Sequence, residues 1–166
     1  MSTEEIQYLE HLINNLLRAK ETLNYSYNIC KKIGIKNEYN EEEKDRLESL
    51  SSKFARLTDL ILKQMIKTIV KLDLEDPPET MRDTINLAEK KGLISAALKF
   101  IEIRKMRNKI AHEYVEEDDL LAIYQFILAE TPQLFDSVDR IEGYCKKFEK
   151  KIGVGASGCQ NVTTLK

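Results

Sequence analysis

Leu47, Leu50, Phe54, Leu57, Ile61, Met65 and Ile69 follow one another at spacings of three and four, with no glycine or proline between them. A rhythm near 3.6 residues sustained over roughly six turns leaves one solution for this stretch, a helix buried along most of its length. The flanking segments repeat the pattern. Ile6, Leu9, Ile13, Leu16, Leu23 and Tyr27 share one face of a first helix, which Ser2 and Glu5 open as a capping box and Gly34 closes. Asn40 with Glu43 supplies the same signature for the long second helix. Asp76-Pro77-Pro78-Glu79 reads as the start of a short third helix that Gly92 ends. The fourth is expected from about Leu93 to His112, with Leu98, Ile101, Met106 and Ile110 in the core. The fifth starts near Asp118 and Asp119 and continues through Leu120, Tyr124, Ile127, Leu134, Val138, Ile141, Cys145 and Phe148, and Pro132 predicts a kink or short break in it. No stretch alternates with period two. The expectation is an all-α bundle of about five helices over 1–152, with 153–166 a disordered tail.

Composition narrows the classes further. One-third of the 166 residues are charged, while Gly and Pro number only six and three, which suits long amphipathic helices in one domain. Glu4 and Glu5 stand where a signal peptide carries cations, and the longest apolar runs stop far short of a membrane span. Cys30, Cys145 and Cys159 are odd in number and widely separated, so they read as reduced thiols. A cytoplasmic protein without a membrane segment, metal site or cofactor is therefore expected.

The chemistry-bearing stretch is Arg104-Lys-Met-Arg107-Asn108-Lys-Ile-Ala-His112-Glu-Tyr114. It places a permanent cation, a group that titrates near neutral pH and a phenol close together. Arginine can hold a phosphate while histidine moves a proton on or off a ribose or leaving oxygen, which is sufficient for phosphodiester chemistry without a metal. The same stretch is the most basic part of an acidic chain. Lys90, Lys91, Lys99, Arg104, Lys105, Arg107 and Lys109 face only Glu102, a local charge of +6 in a protein of net −2.

Helical geometry restricts how these groups can cooperate. Arg107 and Tyr114, seven apart, share a face if the helix persists, but Arg107 and His112, five apart, diverge by about 140°. Either the helix ends between them or a second copy of the chain completes the site across a two-fold axis. Asn108, four residues before His112, is placed to orient the imidazole. Plainer roles exist for each residue. Glu102 and Glu113 are available to pair Arg107 at the surface, and Tyr114 can act as an amphipathic lid on the core. His11, the other histidine, lies between core positions of the first helix, which favours a structural role.

The segment Arg107-Asn108 through His112-Glu-Tyr114 resembles the R-x4-H-x-Y signature of HEPN-domain proteins, specifically the HepT-like toxins. The similarity continues upstream through Pro78-Glu-Thr80, Asn86-Leu87, Gly92-Leu93-Ile94 and Ile103-Arg-Lys-Met106, covering roughly 47–145. The resemblance implies an all-helical homodimer in which two motifs meet in a cleft, acting as a metal-independent endoribonuclease on RNA. It implies Arg107 on the scissile phosphate and His112 as general acid or base. It also implies a toxin–antitoxin partnership with a minimal nucleotidyltransferase antitoxin of the MntA type, which binds the toxin and can transfer AMP from ATP onto Tyr114. Its non-catalytic alternative is a HEPN binding partner of such a transferase.

Overall fold

A computed structural model describes residues 2–112 and 117–155, with side chains of the second segment from Asp119 to Phe148. The described residues form five helical rods and no strand. They are α1 (Thr3–Ile33), a second rod built from α2 (Glu41–Asp59), a π-helical segment (Leu60–Met65) and α3 (Ile66–Leu72), then α4 (Met81–Lys90), α5 (Ala97–Ala111) and α6 (Glu117–Gly155).

Both expected capping boxes are present. Ser2 and Glu5 exchange side-chain and backbone bonds at the start of α1, and Asn40 and Glu43 do so at α2. Gly34, at φ 72°, terminates α1, so the chain reverses and lays α2 against it. The pairing is antiparallel: Cys30 Sγ reaches the Arg46 carbonyl at 3.4 Å and Lys53 Nζ donates to Ser26 Oγ at 2.6 Å. The second rod is central, packing on α1, α5 and α6. Its buried positions explain the π segment. From Leu57 the core runs through Ile61, Met65 and Ile69 at intervals of four, each overshooting an α-helical turn by about 40°. The wider π turn, closed by the Ile66 amide on the Ile61 carbonyl, absorbs that drift and keeps all four in the core.

α3 and α4 end in matching fashion. Leu74 donates to the Lys71 carbonyl and Glu75 to that of Val70, while Gly92 donates to Glu89 and Leu93 to Ala88. These are two Schellman closures, the second with glycine at its left-handed position (φ 73°) and the first with Leu74 (φ 59°). Between the two ends sits an ion cluster. Lys91 Nζ lies 2.8 Å from Asp73 and 2.6 Å from Glu75, Lys147 Nζ is 2.7 Å from Asp73, and the Tyr144 hydroxyl donates to Asp73 at 2.6 Å. Burial raises the Asp73 pKa, but the bonds from Lys147, Lys91 and Tyr144 outweigh it and hold the carboxyl at about 2. A depressed carboxyl stabilises the fold above its unfolded value near 3.9 and loses that contribution as pH falls through the folded value. About 2 kcal/mol should therefore disappear between roughly pH 4 and pH 2. Acid unfolding of Asp73→Asn compared with the unsubstituted chain checks this: the variant should lack that part of the pH dependence.

Several sequence expectations are corrected. The third helix starts after Thr80, whose side chain and Asp83 form its capping box, not at the Asp76-Pro77-Pro78-Glu79 run. α5 starts at Ala97 rather than Leu93, because Leu93 and Ile94 are buried in the preceding turn, where Ser137 Oγ holds the Leu93 carbonyl at 3.0 Å. The Glu89 carboxylate caps α5 by accepting from the Ala97 amide at 2.9 Å. With that start, Ala97, Phe100 and Ile103 form the core stripe and Leu98 is 76% exposed; Ile101, Met106 and Ile110 pack at its edge. Lastly, α6 is continuous through Pro132. Ile127, Leu134 and Val138 are fully buried on both sides of the proline, and that burial outweighs the roughly 3 kcal/mol of a proline inside a helix. α6 also reaches Gly155, past the expected boundary at 152, and 156–166 lie outside the described residues. No helix among the described residues is long and apolar enough to cross a membrane. Cys30 and Cys145 are buried, and Cys159 lies outside the described residues.

Candidate functional site

The core stripe of α5 leads directly into the motif. Phe100, Ile103 and Arg107, three and four residues apart, share a face. Arg107 therefore leaves the core where α5 crosses the second rod, and its side chain is only 23% exposed. Its partner is Asp59, the last residue of α2: Nη2 lies 2.6 Å from Oδ2. The other carboxylate oxygen of Asp59 takes Lys63 Nζ at 3.1 Å. One carboxylate is thus shared by two cations, and the π segment starting at Leu60 carries Lys63 toward it. Arg107 Nη1 makes a long 3.4 Å contact to Asn108 Oδ1, and its buried Nε has no hydrogen-bond partner among the described residues.

Around this pair lies a cavity of about 160 Å³, lined by Thr58, Asp59, Leu62, Lys63, Met81, Arg104, Arg107 and Asn108. Arg104, Arg107 and Asn108 reach it together because positions i, i+3 and i+4 share a helix face. His112 sits just past the end of α5. It is the C-cap, in an extended conformation (φ −88°, ψ 120°), its amide held by the Lys109 carbonyl at 3.2 Å. The imidazole is exposed and no longer bound by the 140° divergence that a continuous helix would impose. Of the two geometries open to the motif, the structure shows helix termination. Tyr114 lies outside the described residues, as does Glu113.

Several side-chain assignments differ from the sequence expectation. Asn108 turns to Arg107, and no hydrogen bond joins it to His112 among the described residues. Glu102 pairs with Lys105 at 2.8 Å instead of Arg107. His11 is exposed and meets Asn15 at 3.0 Å on the surface of α1. The basic strip is largely matched by carboxylates from elsewhere in the fold. Lys91 meets Asp73 and Glu75, Lys99 meets Glu130, Lys105 meets Glu102, Arg107 meets Asp59 and Lys109 meets Asp119. Lys90 and Arg104 have no such partner among the described residues. Asp59 and Lys63 are the site residues that sequence reasoning missed. Asp59 sits 48 positions from Arg107, and no spacing rule connects them.

No protein-family model matches this chain, and no curated protein matches it in sequence. In structure it is similar to HI0074 from Haemophilus influenzae, described as having the fold of a substrate-binding domain of a nucleotidyltransferase, with a TM-score of 0.67. The likeness covers 78% of this chain and 98% of HI0074 at 19% identity. At that identity it is a likeness of fold, and the fold is an all-α helical bundle.

Proposed function

We propose that this protein is the toxin of a HEPN/nucleotidyltransferase toxin–antitoxin pair and acts, as a homodimer, as a metal-independent endoribonuclease. The observation that carries this reading is the termination of α5 at Ala111, which sets an exposed His112 beside the end of the helix that carries a restrained Arg107. In this reading Arg107 grips a non-bridging oxygen of the scissile phosphate and steadies the charge that builds on it. His112 takes the proton of the neighbouring 2′-hydroxyl. The new O2′–P bond forms as the P–O5′ bond breaks, and the 5′ oxygen leaves with a proton. A two-fold pairing of motifs supplies a second imidazole, so that one accepts the proton while the other donates. The nucleophile resides in the substrate, so RNA is cut and DNA is not.

Neutralisation by the partner enzyme follows the same chemistry. The Tyr114 oxygen loses its proton and attacks the α-phosphorus of ATP, pyrophosphate departs, and the resulting AMP adds a bulky anion to the motif that competes with RNA. Incubation with the cognate transferase and ATP should add one AMP by intact mass. An equal gain in Tyr114→Phe would remove Tyr114 from this role.

A second reading, a non-catalytic partner of a minimal nucleotidyltransferase, is favoured by two observations. Arg107 and most of the basic strip are already paired with carboxylates, and HI0074 is described as having the fold of a substrate-binding domain of a nucleotidyltransferase. The pairs at the surface are weak, about 0–1 kcal/mol each, so RNA phosphates can displace them. That favours the ribonuclease. Controlled expression separates the two: the toxin should arrest growth and His112→Ala should restore it, whereas a binding partner leaves growth normal in both.

A further inference from the structure

The cavity beside Arg107 carries more positive charge than a single scissile phosphate needs. Its lining holds three cations, Lys63, Arg104 and Arg107, against the single carboxylate of Asp59, a net of +2 around about 160 Å³. The other lining residues, Thr58, Leu62, Met81 and Asn108, are uncharged. Asp59 satisfies Arg107 at 2.6 Å and Lys63 at 3.1 Å, and Arg104 is left with no carboxylate among the described residues. Elsewhere in the strip Lys91, Lys99, Lys105 and Lys109 each have an acidic partner, and of the two strip cations without one among the described residues, Lys90 and Arg104, Arg104 is the one that lines this cavity. The space corresponds to about five waters at roughly 30 Å³ each, enough for one phosphate group and its remaining hydration. Thr58 Oγ1 is committed to the Phe54 carbonyl at 2.9 Å, which leaves the charged groups and Asn108 to meet an anion.

We propose that Arg104 and Lys63 form a second phosphate subsite, which binds the backbone phosphate of single-stranded RNA next to the one held by Arg107. The inference rests on the ribonuclease reading and names the residues that hold the strand in register. Arg104 offers a planar fork suited to phosphate, and Lys63 a point charge that exchanges Asp59 for the incoming anion. With one phosphate on Arg107 and its neighbour on Arg104, the intervening ribose is fixed with its 2′-hydroxyl toward the helix end, where His112 lies. Arg104 is thus a substrate-positioning residue and takes no part in proton transfer.

A fluorescent 2′-O-methyl oligonucleotide tests this, because it cannot be cut by 2′-hydroxyl attack. Its binding to the full chain would be followed by anisotropy over a series of KCl concentrations. Arg104→Gln removes no internal ion pair and should weaken binding roughly three- to tenfold while lowering the salt slope by about 0.7, the loss of one phosphate contact on a single strand. Lys63→Gln should act in the same direction. Lys90→Gln, which removes a strip cation outside the cavity lining, should bind as the unsubstituted chain does. If Arg104→Gln keeps both affinity and slope while Arg107→Ala weakens binding, the subsite is overturned and the ribonuclease reading stands. If the unsubstituted chain does not bind the oligonucleotide at all, both fall.

Discussion

Arg107→Ala should lower RNA cleavage by about 10²–10³-fold, the scale seen when a preorganised charge at a developing anion is removed. The structure gives a reason to expect the upper part of that range. Arg107 is anchored by Asp59 through Nη2 at 2.6 Å, so one arm of the fork fixes its position while Nη1 remains for the phosphate. A lysine has no second arm. Arg107→Lys retains the charge but must choose between Asp59 and the substrate, so it should recover only a small part of the lost rate. Cleavage of a defined RNA by the purified variants, measured as single-turnover rates, reads this directly. Equal rates for Arg107→Ala and the unsubstituted chain would remove Arg107 from the chemistry. Thermal unfolding of the same samples guards against a trivial cause, since losing the arginine leaves Asp59 paired with Lys63 at 3.1 Å.

Phe100→Ala should cost about 3–5 kcal/mol, because a fully buried aromatic ring is removed and its surroundings relax only in part. For a chain of this size that lowers the midpoint of thermal unfolding by roughly 6–20 °C. Leu98→Ala, two residues earlier on the same helix, should stay within about 0.5 kcal/mol of the unsubstituted chain, because Leu98 is largely solvent-exposed. The contrast tests the phase of α5, and with it the direction in which Arg107 emerges. Comparable losses from both substitutions would mean that the helix is rotated so that Leu98 also faces the core.

That rotation marks where the sequence stopped being a sufficient guide. Caps are local chemistry, and the boxes at Ser2–Glu5 and Asn40–Glu43 were legible because every group involved lies within four residues. The long second rod was legible because its rhythm of threes and fours has no competing reading. The start of α5 was not. Leu93 and Ile94 look like the opening of an apolar helix face, but they are buried in a turn, held from a distance by Ser137, and the helix is capped by Glu89 from α4. The core stripe of α5 lies on Ala97, Phe100 and Ile103, and Leu98 stands on the exposed face. Pro132 failed as a breaker for a related reason, since the burial of Ile127, Leu134 and Val138 is a tertiary effect that a local rule omits.

The site shows the same division. Arg107, Asn108, His112 and Tyr114 stand out as a short motif, and the divergence of positions five apart left a helix end or a second copy as the ways to join Arg107 and His112, of which the helix end is observed at Ala111. Asp59 and Lys63 do not stand out. They reach Arg107 through the packing of α5 on the second rod, and their acid and base look like ordinary members of a solvated helix face. The charge count along 90–109 was also incomplete as evidence, because most of the carboxylates that answer it come from outside that stretch: Asp59, Asp73, Glu75, Asp119 and Glu130.

The most direct test of the central claim is the end chemistry of RNA exposed to the purified protein in excess EDTA, with His112→Ala run alongside. Attack by the 2′-hydroxyl without a metal predicts cleavage that persists in EDTA, leaves 2′,3′-cyclic phosphate and 5′-hydroxyl ends, and falls by about 10²–10⁴-fold in His112→Ala. Intact RNA with the unsubstituted protein, or cleavage that His112→Ala leaves unchanged, would contradict it.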